Sequence, residues 1–225
     1  MVDPFSSGDS DRGVKQRLID AGLEIFGTYN LEGATTRQLA EQAGVNQAAI
    51  PYYFGGKEGL YNAAIQHIFS ANFALIQPVL GGLEEQLTLK KFSKTEALAQ
   101  LKGLLDAMMK VILTRKASST WARIIMREQM QPTQAFDFIY NNGIRRLHTA
   151  VSTLLAVILK RKPTDRILVL RAHMLIGQVL IFLAGRETIR RRLDLKGYTD
   201  DEVTEIRRAF AEQLDLLRFE AETGK

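Results

Sequence analysis

The chain has 225 residues, 46% of them apolar, enough for one large domain or a small domain fused to a larger one. It contains no cysteine, which excludes a disulfide framework and a thiolate metal site. The formal net charge is +5, yet residues 1–60 carry eight acidic against five basic residues, so the basic excess lies elsewhere, notably in Lys160–Arg171 and Arg186–Lys196. A nucleic-acid partner must therefore be argued from local geometry rather than bulk charge.

The stretch 1–10 reads as a disordered polar tail, without the basic and apolar regions of a secretory leader. Val151–Leu159 and Met174–Ala184 are the longest apolar runs, short of the roughly 18–20 residues of a membrane span. The chain is therefore expected in the cytoplasm, away from membranes.

Nearly everything after residue 10 has helical period, which predicts an all-α fold. A first helix is expected from Asp11 to Tyr29, ended by Asn30-Leu-Glu-Gly33. Two short helices follow over 36–43 and 46–53, then a longer one from Lys57 to about Pro78. Gly81-Gly82 is expected to break the chain, and Ser93 with Glu96 to open a helix to about Lys116 as a capping box. Thr120 is expected to cap the next helix, and Pro132 to begin one running to about Lys160. Arg166–Leu193 reads as one helix, and Thr199 with Glu202 opens the last, to about Ala221. This divides into a small helical domain over 11–56 and a larger one over 57–225.

Thr36–Tyr53 has helix-turn-helix spacing. Ala40 is small where a second helix crosses, Gly44 sits where a turn wants positive φ, and Val45 and Ile50 pin the two helices together. Asn46 is a good N-cap for the second helix. The continuation Ala49-Ile-Pro-Tyr-Tyr-Phe-Gly-Gly-Lys-Glu-Gly-Leu60 resembles the Tyr-x-Phe-x-x-Lys-Glu-x-Leu signature of the TetR family of repressors. Ala21-Gly-Leu-Glu-Ile-Phe26 and Gly33-Ala-Thr-Thr-Arg-Gln-Leu-Ala40 match the same family in order and spacing, so the resemblance covers about residues 12–62.

The resemblance implies a homodimer on an inverted-repeat, double-stranded operator. It puts Gln47, Ala48, Ala49 and Tyr52 on the groove-facing side of the recognition helix. Gln47 can pair with adenine and the alanine methyls with thymine methyls. Thr35 or Thr36 caps the preceding helix and bonds a phosphate, Tyr53 and Lys57 are further backbone contacts, and Arg37 reaches a phosphate or a base edge. Pro51 stands where the family often has Tyr, so that position's phosphate contact is lost.

In this family the rear helices bind a small-molecule effector and form the dimer. Trp121–Gln129 followed by Pro132–Tyr140 resembles the CerR or CecR-like subgroup, linked to membrane transport and drug efflux genes. Trp121, Ile125 and Glu128 share a helical face and, with Phe73, Phe136, Tyr140 and His173, are candidates for an effector pocket. Phe69, Phe73, Met108 and Met109 read first as core. A carboxylate at Glu128 needs a partner if buried, and Arg123, Arg171, His148, His173 or a ligand are the choices; a structural ion pair is favoured. The dimer is expected through Ile144, Leu147, Val151 and Leu155 of one helix, and His173, Ile176, Gly177, Leu180 and Ala184 of the next. No cofactor or metal is called for, and the sequence lacks the phosphate-cradling, nucleophile-elbow and metal-ligand motifs of an enzyme. A helical ligand-binding protein without working DNA contacts, and an activator in place of a repressor, remain open.

Overall fold

The computed structural model describes residues 6–89, 91–114 and 119–217, and every element among them is helical. The chain forms two compact units that interleave in sequence: Met1–Ala71 with Ala117–Ile139, and Asn72–Lys116 with Tyr140–Lys225.

The first unit opens with α1 (Ser6–Gly33). It begins inside the stretch expected to be a tail, where Ser6, Ser7 and Asp9 are residue types favoured at helix starts; residues 1–5 lie outside the described residues. At Asn30 the backbone turns to φ 62°, and the Asn30 side chain accepts from the Gly33 amide at 2.7 Å, so the expected stop is a kink followed by one turn. Next come α2 (Thr36–Ala43), α3 (Ala49–Phe54) and α4 (Lys57–Phe73). Leu18, Phe26, Leu39, Ile50, Leu60 and Ile65 are all fully buried beneath them. Two helices of the second unit intervene, α5 (Gln77–Leu89) and α6 (Lys94–Thr114). The first unit then takes up α7 (Ser119–Met130) and α8 (Gln134–Ile139).

That return replaces the single boundary expected after residue 56. Its cause is polar as well as apolar. Arg123 Nε donates to the Gly27 carbonyl at 2.9 Å and Arg127 Nη1 to the Phe26 carbonyl at 2.8 Å, so two guanidinium groups of α7 bond the backbone of α1. The side chain of Thr120, the expected cap of α7, lies outside the described residues. Pro132 does not begin α8. Thr133 does the capping instead, its hydroxyl accepting from the Ala135 amide at 3.2 Å.

In the second unit a π-helical turn (Tyr140–Ile144) leads into α9 (Arg145–Leu159), then α10 (Arg166–Ala184), α11 (Arg186–Arg192) and α12 (Asp200–Asp215). Helix α6 is central and packs against α9, α10 and α12. Its Leu101, Leu104, Leu105 and Met109 meet Leu154, Leu168, Val179 and Phe210 in one core. Ser93 and Thr199 both form the expected capping boxes.

Three expected features differ. Gly81-Gly82 does not break the chain, because Leu80 and Leu83 on either side are buried in the core; their burial outweighs the roughly 1 kcal/mol that each glycine costs a helix. The segment expected to be one helix over 166–193 breaks at Gly185, where α10 ends. Third, α10 spans 19 residues with hydropathy 2.1, which by length and composition is enough to cross a membrane, although no single run suggested it. Only 22% of that window is buried.

Candidate nucleic-acid interface

The turn between α2 and α3 is built as its sequence predicts. Gly44 has φ 63° and ends α2, and its amide reaches back to the Ala40 and Glu41 carbonyls. Thr35 caps the other end of α2 in a full capping box with Gln38. Asn46 Oδ1 accepts from the Ala48 amide at 2.8 Å and opens a tight turn that runs into α3. The regular helix therefore starts at Ala49, three residues later than expected, and Asn46 closes the turn before it instead of capping α3, whose N-cap position is Ala48 without a side-chain cap. Ile50 and Leu39 have no exposed surface, which holds α3 on α2.

What α3 leaves outside is what the motif predicts. Gln47 and Ala48 are exposed, Ala49 is half-buried, and Tyr52 is 78% exposed. Thr36, Gln47, Ala48, Pro51 and Gly56 line one open depression on this face. Pro51 costs α3 little, since the amide of Tyr52 still finds the Ala48 carbonyl at 3.3 Å and that of Gly55 the Pro51 carbonyl at 3.0 Å.

Several side chains expected on phosphates already have protein partners. Lys57 Nζ donates to the Ala34 carbonyl at 2.9 Å and the Glu32 carbonyl at 3.4 Å, so its ammonium closes the end of the turn before α2. Arg37 pairs with Glu41 at 2.7 Å on the open surface. The Tyr53 hydroxyl donates to Asp11 Oδ1, Lys15 sits 5.4 Å from the ring centre, and Tyr52 packs edge-on at 4.7 Å. The bond to Asp11 and, secondarily, burial push the Tyr53 phenol up to about 12. Asp11 is a partner that the motif, which starts further along the chain, does not reveal.

A second feature invisible in the spacing is Gly59. A Cβ there would lie 1.7 Å from the Phe54 carbonyl oxygen, so only glycine allows α4 to start this close to the end of α3. The family signature leaves this position unspecified.

The expected pocket residues are divided between the units. Ile125, Glu128 and Phe136 belong to the first, and Phe73, Tyr140 and His173 to the second; the side chain of Trp121 lies outside the described residues. Glu128 is 1% exposed, and its partners are hydroxyls and an amide, not the cations expected. It accepts from Tyr61 Oη at 2.7 Å, from the Thr133 amide at 3.1 Å and from the Thr133 hydroxyl at 3.0 Å. Burial first, then this bond, pushes the Tyr61 phenol well above its usual value. Phe73 lies under the Arg146 guanidinium, which is itself paired with Glu84. Met108 and Met109 are core, as expected.

The expected dimer residues also divide. Val151 and Leu155 have no exposed surface and Ile176 is 5% exposed, so they are consumed by the core of their own unit. On α10 the outward stripe is Leu170, His173, Met174, Gly177, Ile181 and Ala184. Ile144, Leu147 and Leu180 lie half-buried.

A helical first unit with a well-formed helix-turn-helix, beside an all-helical second unit, defines a class of DNA-binding regulators. Residues 18–64 match the family described as bacterial regulatory proteins, tetR family, and residues 97–220 match the C-terminal domain of the HTH-type transcriptional dual regulator CecR. The chain is 34% identical over 205 residues to the HTH-type transcriptional dual regulator CecR of Shigella flexneri, covering 90% of each chain. It is 25% identical over 169 residues to the HTH-type transcriptional repressor AcnR of Corynebacterium glutamicum, covering 66% of this chain and 89% of that one. In fold it is similar to a TetR-like transcriptional regulator from Rhodococcus sp. RHA1, with a TM-score of 0.59 at 20% identity over 94% of this chain and 97% of that one. The chain belongs to the TetR family and carries a CecR-type C-terminal domain. It is a transcriptional regulator, and its relatives are regulators rather than enzymes.

Proposed function

We propose that the protein is a homodimeric repressor that holds an inverted-repeat operator through α3 of each copy, and that a small-molecule effector releases it. The observation that carries this reading is the exposed face of α3 and the turn before it, with Gln47, Ala48 and Tyr52 presented over a firmly buried Ile50. The copies pair through α10, whose Leu170, Met174 and Ile181 are 47%, 63% and 57% exposed on one stripe. Covering that stripe with its own copy removes apolar surface from water.

Release runs through α4, which enters the head at the Lys57 clasp and is bound to α7 by Tyr61 and Glu128. An effector needs only to prefer the non-binding arrangement by a few kcal/mol to empty the operator. The effector's contacts are drawn from Ile125, Glu128 and Phe136 of the first unit, and the regulated genes are those of transport or efflux. The protein acts in the cytoplasm, with the DNA. The Shigella relative is a dual regulator, which favours a second reading in which the same head also activates some promoters.

The test is binding of the full chain to its own upstream DNA and to scrambled DNA across a salt series. Tight, selective binding with a negative salt slope, weakened by Gln47→Ala, supports the reading. Equal and weak binding to both DNAs, and to duplexes selected from a random pool, rejects it.

A further inference from the structure

The Gln47 amide is not free to swing. Its Nε2 donates to Thr36 Oγ1 at 2.7 Å, across the turn from α2 to α3. The two residues line the same open depression. Thr36 is the first residue of α2, and the capping of that helix is done by Thr35, so the Thr36 hydroxyl is not needed as a cap. A primary amide has two N–H bonds and one carbonyl. With one N–H given to Thr36, Gln47 keeps one N–H and Oε1, which is the pair that a bidentate contact to adenine N7 and N6 requires.

We propose that Thr36 is a positioning residue for base reading: its hydroxyl aims the Gln47 amide at one A·T pair in each half-site. This rests on the DNA-binding reading above but goes beyond it, because it gives Thr36 a part in sequence discrimination and not only in backbone contact. The physical gain is preorganisation. An exposed glutamine must otherwise freeze several side-chain torsions when it meets a base, and it can present its amide either way round. In the structure the Thr36 oxygen accepts, and the amide stands with its nitrogen toward α2. Thr36 retains its own proton, so a phosphate can bind it at the same time without breaking the contact to Gln47.

The full-length protein would be used to enrich duplexes from a random-sequence pool, and the best duplex varied one base pair at a time. Affinities of wild type, T36V, T36A, T36S and Q47A would be measured across a salt series, with melting curves for each. The expected result is a loss of roughly tenfold in selectivity at the base pair where Q47A also loses it, in both T36V and T36A. The salt slope stays at the wild-type value, and T36S, which keeps the acceptor, restores selectivity. A uniform loss of affinity on all sequences, with discrimination at every base pair kept, would make Thr36 a backbone contact only and overturn the proposal. Selectivity unchanged in T36V and T36A would overturn it as well, while leaving the regulator reading intact. A wild-type protein that enriches no sequence would overturn both.

Discussion

The surfaces presented by α3 and by α10 differ in how they are made. The turn into α3 and the six-residue helix itself offer a glutamine, small residues and a tyrosine, ordered by named local devices: the Gly44 turn, the Asn46 turn, the Gln47–Thr36 bond. Helix α10 is 19 residues long and offers aliphatic side chains with little beyond their spacing to order them. The first surface suits a wet, charged partner that is read atom by atom, and the second suits an apolar partner for which area matters most. A single substitution in the head therefore acts through one bond or one clash, whereas in the second unit it acts according to which side of a helix it falls on.

The largest effect is expected where the head has no slack. Gly59→Ala forces a carbon against the Phe54 carbonyl and should cost roughly 3 kcal/mol, seen as an earlier melt of the helical signal and loss of DNA binding. Unchanged melting would mean that α3 and α4 can move apart, and the head would not be as rigid as the contrast requires. Next is Glu128→Ala. It leaves the buried Tyr61 hydroxyl without its carboxylate and should destabilise the head by about 2–3 kcal/mol. A double-mutant cycle with Tyr61→Phe should show most of that cost shared, since either change removes the same bond.

In the second unit the outcome should depend on the face. Ile181→Asp puts a charge on the outward stripe of α10 and, on the proposed pairing, should give a monomer in light scattering that keeps its helical signal and melts somewhat earlier. Val151→Asp, on a fully buried position of α9, should abolish folding of that unit. A dimer that survives Ile181→Asp together with Met174→Asp would move the interface away from α10.

How legible these regions were in the sequence follows the same contrast. The head is legible because its turn is specified by residues whose backbone chemistry is distinctive: Gly44 takes positive φ, Thr35 and Gln38 close a capping box, and Ile50 is buried. Partners brought in from outside the motif were not legible. Asp11 reaches Tyr53 from 42 residues away, and Glu128 reaches Tyr61 from 67 residues away, and neither distance leaves a periodic trace. The second unit is legible as helices but not as faces. Val151 and Leu155 have the same residue types as an interface would use, and only packing assigns them to the core. The break at Gly185 and the continuity through Gly81-Gly82 both depart from the sequence pattern for one reason. Glycine only lowers the cost of a break, and burial of neighbouring leucines decides whether one occurs.

The smallest effect expected is on pH dependence, and it separates the two regions in a different way. In the head, the bond to Asp11 moves the Tyr53 phenol up to about 12, so that group does not titrate near neutrality. In the second unit, His148 of α9 lies 5.4 Å, ring centre to ring centre, from His173 of α10. Burial first, and the His173 charge second, lower the His148 pKa below its ordinary 6.5. Below that ordinary value the unfolded chain takes up a proton that folded His148 resists, so the unfolded state binds more protons and stability falls as the pH drops. The stabilising contribution is complete above 6.5 and is lost on acidification from there through the lowered pKa. Urea midpoints of the wild type should therefore decrease between about pH 7.5 and about pH 5.5, and His148→Gln should flatten part of that decrease. A Tyr53→Phe variant should leave the same slope untouched. If His148→Gln kept the full slope, the acid sensitivity would belong to another group, and the pairing of α9 with α10 would be indifferent to protonation.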